Sequence, residues 1–170
     1  MKILAELTDQ NMLGLPGMSD AEPRVTARAV VRRDDGLYAL MHTGKYDMYM
    51  LPGGGVDDGE AIEDALRREL AEETGCLCRE IMPLGVVTEN RAHAEYTQMS
   101  YYFAVTTDGA AEEKHLTAEE ISNGTSLQWH TLDEMLHLIG DPVHEVFQRR
   151  FLQARDMAAL NEYLKSDGTR

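Results

Sequence analysis

Three glutamates, Glu69, Glu72 and Glu73, stand where a helix would otherwise bury apolar side chains. With Glu69 as reference and a turn of 100° per residue, Ala61, Ile62, Ala65, Leu66 and Leu70 fall on one broad apolar stripe. The three carboxylates fall on that same stripe, within an arc of about 100°. Like charges so close cost several kcal/mol unless something positive holds them. A divalent cation is the simplest holder, since hard cations take oxygen ligands and these side chains supply them from one helix face.

The elements that must position these acids are legible on either side. Asp57, Asp58 and Glu60 mark the positive start of the helix and Gly75 its stop. Glu63–Arg67 and Asp64–Arg68 are spaced as i,i+4 pairs along it. Upstream, Val25, Ala27, Ala29 and Val31 alternate with Arg24, Thr26, Arg28 and Val30, a strand pattern. Asp34-Asp35-Gly36 reads as a hairpin turn into LYALMH, and MYML is a further strand ending at Pro52 and three glycines. Strands are expected near 80–88 and 96–106, then an acidic loop, a short strand carrying Leu127 and Trp129, and a helix over 132–139. Val146, Phe147, Phe151, Ala154 and Ala158 mark one face of a long terminal helix. These elements predict an arm over 1–23, a domain over 24–140 and a covering helix over 141–170. Strands and helices mix without a regular βαβ repeat, an α/β (α+β) composition.

The chain has 170 residues and a formal charge of −14, which argues against binding duplex nucleic acid through its phosphates. An anionic small substrate is compatible with that charge if metal ions neutralise the contact. Cys76 and Cys78 point to opposite faces of a strand, so a disulfide between them is not expected. No Cys/His zinc spacing occurs, and no run approaches a membrane span. The start carries acids early and lacks the long apolar run of a signal peptide, so a cytoplasmic location is the expectation.

Gly54, five residues to Glu60, seven more to Arg68, then Glu69-Leu70-Ala71-Glu72-Glu73-Thr74-Gly75-Cys76 resembles the Nudix box of the MutT-type hydrolases without a departure. The resemblance implies an α/β/α sandwich with a mixed β-sheet, the box forming a loop–helix–loop beside it. It further implies hydrolysis of a phosphoanhydride in a nucleoside diphosphate linked to another moiety or in a (d)NTP. Mg²⁺ or Mn²⁺ would neutralise the pyrophosphate, activate water and steady the leaving oxygen. By resemblance, Glu69, Glu72 and Glu73 hold metal with the Gly54 carbonyl, while Glu60 and Arg68 support them from behind. The general base is a box glutamate, Glu69 or Glu72, or an acid of the loop carrying Glu112, Glu113, His115, Glu119 and Glu120. Glu120 or Glu119 could equally be a further metal ligand.

Arg24 and Arg28 share the strand face opposite the apolar one, so they project towards the site and could clamp phosphate. Gly53 is a further candidate substrate contact, and Tyr96, Tyr102 or Tyr46 could stack on a base. The terminal helix covers the domain, with a homodimer contact as the minority reading.

Two other functions compete. A Nudix-like sensor domain would bind a nucleotide without cutting it, but such domains typically lose box acids and this chain keeps them. A structural cation-binding module would show metal-dependent melting and no hydrolysis. Within the hydrolase reading, the narrower marks resembling ADP-ribose, dinucleoside-polyphosphate and coenzyme A enzymes are missing: Pro83 stands too near the box, Tyr96 too far, and the coenzyme A signature is absent.

Overall fold

A computed structural model describes residues 1–109, 117–141 and 147–167. Its strands form one eight-stranded sheet: β1 (Ile3–Thr8), β2 (Arg24–Arg33), β3 (Tyr38–Thr43), β4 (Met48–Met50), β5 (Gly53–Gly55), β6 (Glu80–Arg91), β7 (Tyr96–Thr107) and β8 (Thr125–His130). The order is β1-β6-β7-β2-β3-β4, with β5 paired to β2 and β8 to β3. β1 runs parallel to β6 and β2 parallel to β7, while the other pairs are antiparallel, so the sheet is mixed as expected. The helices are α1 (Asp9–Leu13), α2 (Ile62–Thr74), α3 (Ala118–Ser122), α4 (Leu132–Gly140) and α5 (Phe147–Asp167).

Alternation along β2 decides which helix covers which face. Ala27, Ala29 and Val31 join Phe103 and Val105 under Ala65, Leu66 and Leu70 of α2. Val30, Leu40, Leu51, Val87 and Tyr102 face the other way, onto Met135 and Ile139 of α4 and Phe151, Ala159 and Leu160 of α5. Burying one apolar face of the sheet against α2 and the other against α4 and α5 gives an α/β/α sandwich.

The first residues differ from an arm. Ile3–Thr8 add a strand to the sheet edge, and Thr8 caps α1, accepting from the Asn11 amide at 3.2 Å while Asn11 Oδ1 accepts from the Thr8 amide. The glycine run also differs from a simple turn. It forms β5, pairing Gly53, Gly54 and Gly55 with Arg28, Ala27 and Thr26. Gly53 has φ +124°, and a Cβ there would collide with the Ala27 carbonyl, so only glycine lets this strand lie so close to β2.

The helix after the box glycines begins at Ile62, later than the acids Asp57, Asp58 and Glu60, which lie in the turn before it. Gly75 ends it with φ +70°. The expected i,i+4 pairs do not form along it. Arg68 turns back to Glu60 and Glu69, and Arg67 donates to the Cys78 carbonyl at 3.4 Å.

Candidate active site

Glu73 and Glu69 are one helical turn apart near the end of α2, and each meets a different glycine of β5. The Gly53 amide donates to Glu73 Oε2 at 2.6 Å, and Glu73 is buried. The Glu69 carboxylate fills the space where a Cβ on Gly54 would stand. Glu72 points outward, half-exposed, with Oε2 3.6 Å from Arg68.

Arg68 organises the back of this cluster. Its Nε and Nη2 donate to the two oxygens of Glu60 at 3.0 and 2.9 Å, its Nη1 to Glu69 Oε1 at 2.7 Å, and its Nη2 also to the Gly55 carbonyl at 2.9 Å. A planar fork of five N–H groups can serve a carboxylate, a second carboxylate and a carbonyl at once, which lysine could not. The resulting tie joins the turn before α2, the helix itself and β5.

These bonds set the charges. Arg68 and the Asp57 amide hold the Glu60 carboxyl down at about 2, well below the ordinary 4.5. Burial pushes the Glu69 carboxyl up, against the pull of Arg68, and Glu72 adds to the rise. A cation beside Glu69 would oppose this rise. Among the described residues, no three acidic, histidine or cysteine side chains are gathered into a finished metal cage. The hydrogen bonds explain why: Glu73 is drawn to the Gly53 amide and Glu69 to Arg68.

The Glu60 bond has a testable sign. A carboxyl held low in the folded state contributes stability above its unfolded value and loses it as pH falls. That stability is complete above about 4.5 and disappears towards 2. In thermal melts across this window, the wild-type Tm should fall more steeply than that of Glu60→Gln.

A cavity of about 370 Å³ opens beside the carboxylates, lined among others by Arg24, Arg28, Gly53, Gly54, Glu69 and Glu73. Arg28 donates through Nη1 to the Leu51 carbonyl at 3.0 Å, while its buried Nε has no hydrogen-bond partner among the described residues. Burial, then the neighbouring Arg155, lowers its pKa, with Glu73 among the groups opposing the fall. Arginine remains charged at neutral pH even so. Arg24 is exposed, its guanidinium beside Gly55. The cavity thus holds acids and bases together.

The tyrosines fall elsewhere. Tyr102 is fully buried and donates to Asp156 Oδ1 at 2.5 Å, so it offers no face for a base. Tyr96 sits at the start of β7 with Arg91 over its ring and its hydroxyl bonded to Gln98, away from the cavity lining. Tyr46 is exposed beneath Lys45. Thr117 and Asn123, which flank α3, line the cavity, so this short helix borders it. Glu119 and Glu120 belong to α3. Their side chains, like Glu112, Glu113 and His115, lie outside the described residues.

Sequence reasoning passed over a buried ionic chain under the same sheet. Glu89, Arg155 and Asp156 are all buried, with Arg155 Nη1 3.4 Å from Glu89 and Nε 3.2 Å from Asp156. Asp156 Oδ2 accepts the Leu51 amide at 2.9 Å. The signal was present: on the wheel of α5, Arg155 falls between Phe151 and Ala159 on the apolar stripe.

Known proteins resemble this chain in sequence and in fold. The NUDIX domain family profile matches residues 22–153. A protein named RNA pyrophosphohydrolase from Caulobacter vibrioides is 34% identical over 103 residues, covering 54% of this chain and 60% of the relative. The chain therefore matches less than two thirds of that relative's length. Among solved structures, a NUDIX hydrolase from Nitrosomonas europaea superposes with a TM-score of 0.62 at 23% identity, covering 85% of this chain and 90% of its own. The ORF135 protein of E. coli superposes with a TM-score of 0.60 at 19% identity, covering 91% and 98%. These two likenesses speak for the fold. With a matching profile over most of its length and a complete box on the helix that the fold requires, the chain belongs to the Nudix family.

Proposed function

We propose that the protein is a divalent-cation-dependent hydrolase of a phosphoanhydride bond, acting on a nucleoside diphosphate linked to another moiety or on a (d)NTP. The observation that carries this reading is that Glu69, Glu73, Arg24 and Arg28 line one cavity together. Carboxylates suit cations and guanidinium groups suit phosphates, so one metal–pyrophosphate unit satisfies both sets.

The donor set fits Mg²⁺ or Mn²⁺: hard oxygens from Glu69, Glu73 and Glu72, joined by the Gly54 carbonyl. Such an ion, when bound, would supply charge neutralisation and activation of water. The chain's own residues do the rest. Arg28, with a free Nε, and Arg24 grip phosphate oxygens; Glu60 and Arg68 fix the Glu69 carboxylate; Gly53 fixes Glu73. Glu69, Glu72 or Glu120 takes the proton from the attacking water. Single glutamine variants identify the base as the one whose loss removes the acidic pH limb of kcat.

The Caulobacter relative is named for an RNA substrate. A net charge of −14 opposes a long polyanion and favours a small nucleotide. The test is a panel of nucleotide sugars, ADP-ribose, dinucleoside polyphosphates, (d)NTPs and 5′-triphosphate RNA. Products are expected with Mg²⁺ or Mn²⁺ and none with EDTA. A triphosphate RNA cut faster than every small nucleotide would overturn the substrate class. Metal-independent binding without products would favour the sensor reading.

The arginines separate binding from chemistry. Losing one charge-assisted contact costs roughly 1.5–3 kcal/mol, about tenfold to a hundredfold in KM. Arg24→Ala is expected to raise KM on that scale with kcat little changed, since no ion pair among the described residues engages Arg24. Steady-state kinetics on the preferred substrate check it.

A further inference from the structure

We propose that Asp156, on the terminal helix, is a positioning residue for the metal-binding loop, acting through the backbone of Leu51. This inference rests on the hydrolase reading above. The path is continuous. Asp156 Oδ2 accepts the Leu51 amide at 2.9 Å, and Arg28 Nη1 donates to the carbonyl of the same residue at 3.0 Å. The Pro52 carbonyl accepts the Ala29 amide at 3.0 Å, and the Gly53 amide donates to Glu73 at 2.6 Å. Three successive residues are thus clamped, from below by α5 and β2 and from the front by the catalytic helix.

Asp156 is itself held from every side. Its Oδ1 accepts Tyr102 Oη at 2.5 Å and Arg155 Nε at 3.2 Å, and the residue is fully buried. Arg155 reaches back to Glu89, which Arg91 also engages. A buried carboxylate is costly unless donors meet it, and here three do: the Leu51 amide, Tyr102 Oη and Arg155 Nε. A role confined to gluing α5 onto the sheet would be met by the Phe151, Ala159 and Leu160 contacts. The Asp156 carboxylate instead reaches past them to a loop amide two residues before Gly53. Its charge also faces Arg28 and Arg155, and it opposes the lowering of the Arg28 pKa that burial and then Arg155 cause. The position of Gly53 and Gly54 against Glu73 and Glu69 is therefore set by a residue that touches neither substrate nor metal.

The test uses the full chain as Asp156→Asn and Tyr102→Phe, the second keeping the carboxylate while removing one of its donors. Folding is followed by circular dichroism. The loop is read by the ¹⁵N-resolved Gly53 amide, metal binding by Mn²⁺ relaxation titration, and catalysis by kcat and KM. Asp156→Asn is expected to shift the Gly53 amide upfield and to weaken Mn²⁺ binding by about tenfold. It should also lower kcat by about tenfold to a hundredfold with KM nearly unchanged. Tyr102→Phe shifts the same readouts in the same direction, to a smaller extent. If Asp156→Asn fails to fold, Tyr102→Phe decides. Either folded variant with a wild-type Gly53 amide, Mn²⁺ affinity and kcat overturns the proposal, even if its Tm is lower. The amide and Mn²⁺ readouts need no turnover, so a wild type that hydrolyses nothing counts against the hydrolase reading and leaves this clamp still measurable.

Discussion

Glu73→Gln should leave a folded protein whose kcat is lower by about a hundredfold to a thousandfold. The carboxylate is the buried member of the cluster, and its Oε2 receives the Gly53 amide at 2.6 Å. Glutamine keeps a carbonyl oxygen for that amide, so the loop stays attached. What disappears is the negative charge that would bind a cation and face Arg28. Several kcal/mol of charge stabilisation in the transition state corresponds to this range, at about 1.4 kcal/mol per tenfold. The measurement is single-turnover kinetics beside a thermal melt. A variant with near-wild-type turnover removes Glu73 from the metal set.

The second large effect distinguishes two adjacent glycines. Gly54→Ala should fold and be nearly inactive, whereas Gly53→Ala should be poorly folded. At Gly54 the atoms nearest the new Cβ are the end of the Glu69 side chain, which can swing away and lose its place beside the loop. At Gly53 it meets the backbone of Ala27 and Arg28, which cannot move without parting β5 from β2, and φ is +124°. Backbone strain and overpacking together are on the order of 2–5 kcal/mol. Gly54→Ala is expected to keep its Tm within a few degrees and to lose about a hundredfold in kcat, the effect of misplacing one group at the reacting centre. Chemical denaturation and kcat on both variants check the contrast. Equal stability of the two would contradict the close approach of β5 to β2.

Much of the fold was legible because burial writes a period into the chain. β2 alternates as Val25, Ala27, Ala29, Val31 because α2 covers that side, and Asp34-Asp35-Gly36 supplies the turn its hairpin needs. β1 was not legible. As an edge strand it is half-covered on both sides, so Ile3–Thr8 show no clean alternation. β5 escaped because three glycines read as a turn, and only the contact with Ala27 and Arg28 shows why they must be glycines. The i,i+4 spacing paired Arg68 with Asp64, whereas its fork reaches Glu60, the partner that the resemblance implied, together with Glu69.

At the site, acids on an apolar stripe were the informative anomaly, and the same anomaly at Arg155 was not pursued. Tyr102 was offered as a platform for a base on residue type alone, whereas its place in β7 buries it under α5. Arg24 and Arg28, set opposite Ala27 and Ala29 by strand alternation, line one cavity with Gly53 and Gly54. Their contact with phosphate is a proposal, like the metal set itself.

The most direct measurement is ³¹P NMR of the substrate panel incubated with wild type in Mn²⁺, in EDTA, and with Glu73→Gln in Mn²⁺. The account predicts that the pyrophosphate resonances of one substrate are replaced by phosphate-ended products only in the first sample. Products that form equally in EDTA, or equally with Glu73→Gln, would contradict a cation held between α2 and the β5 glycines as the source of the chemistry.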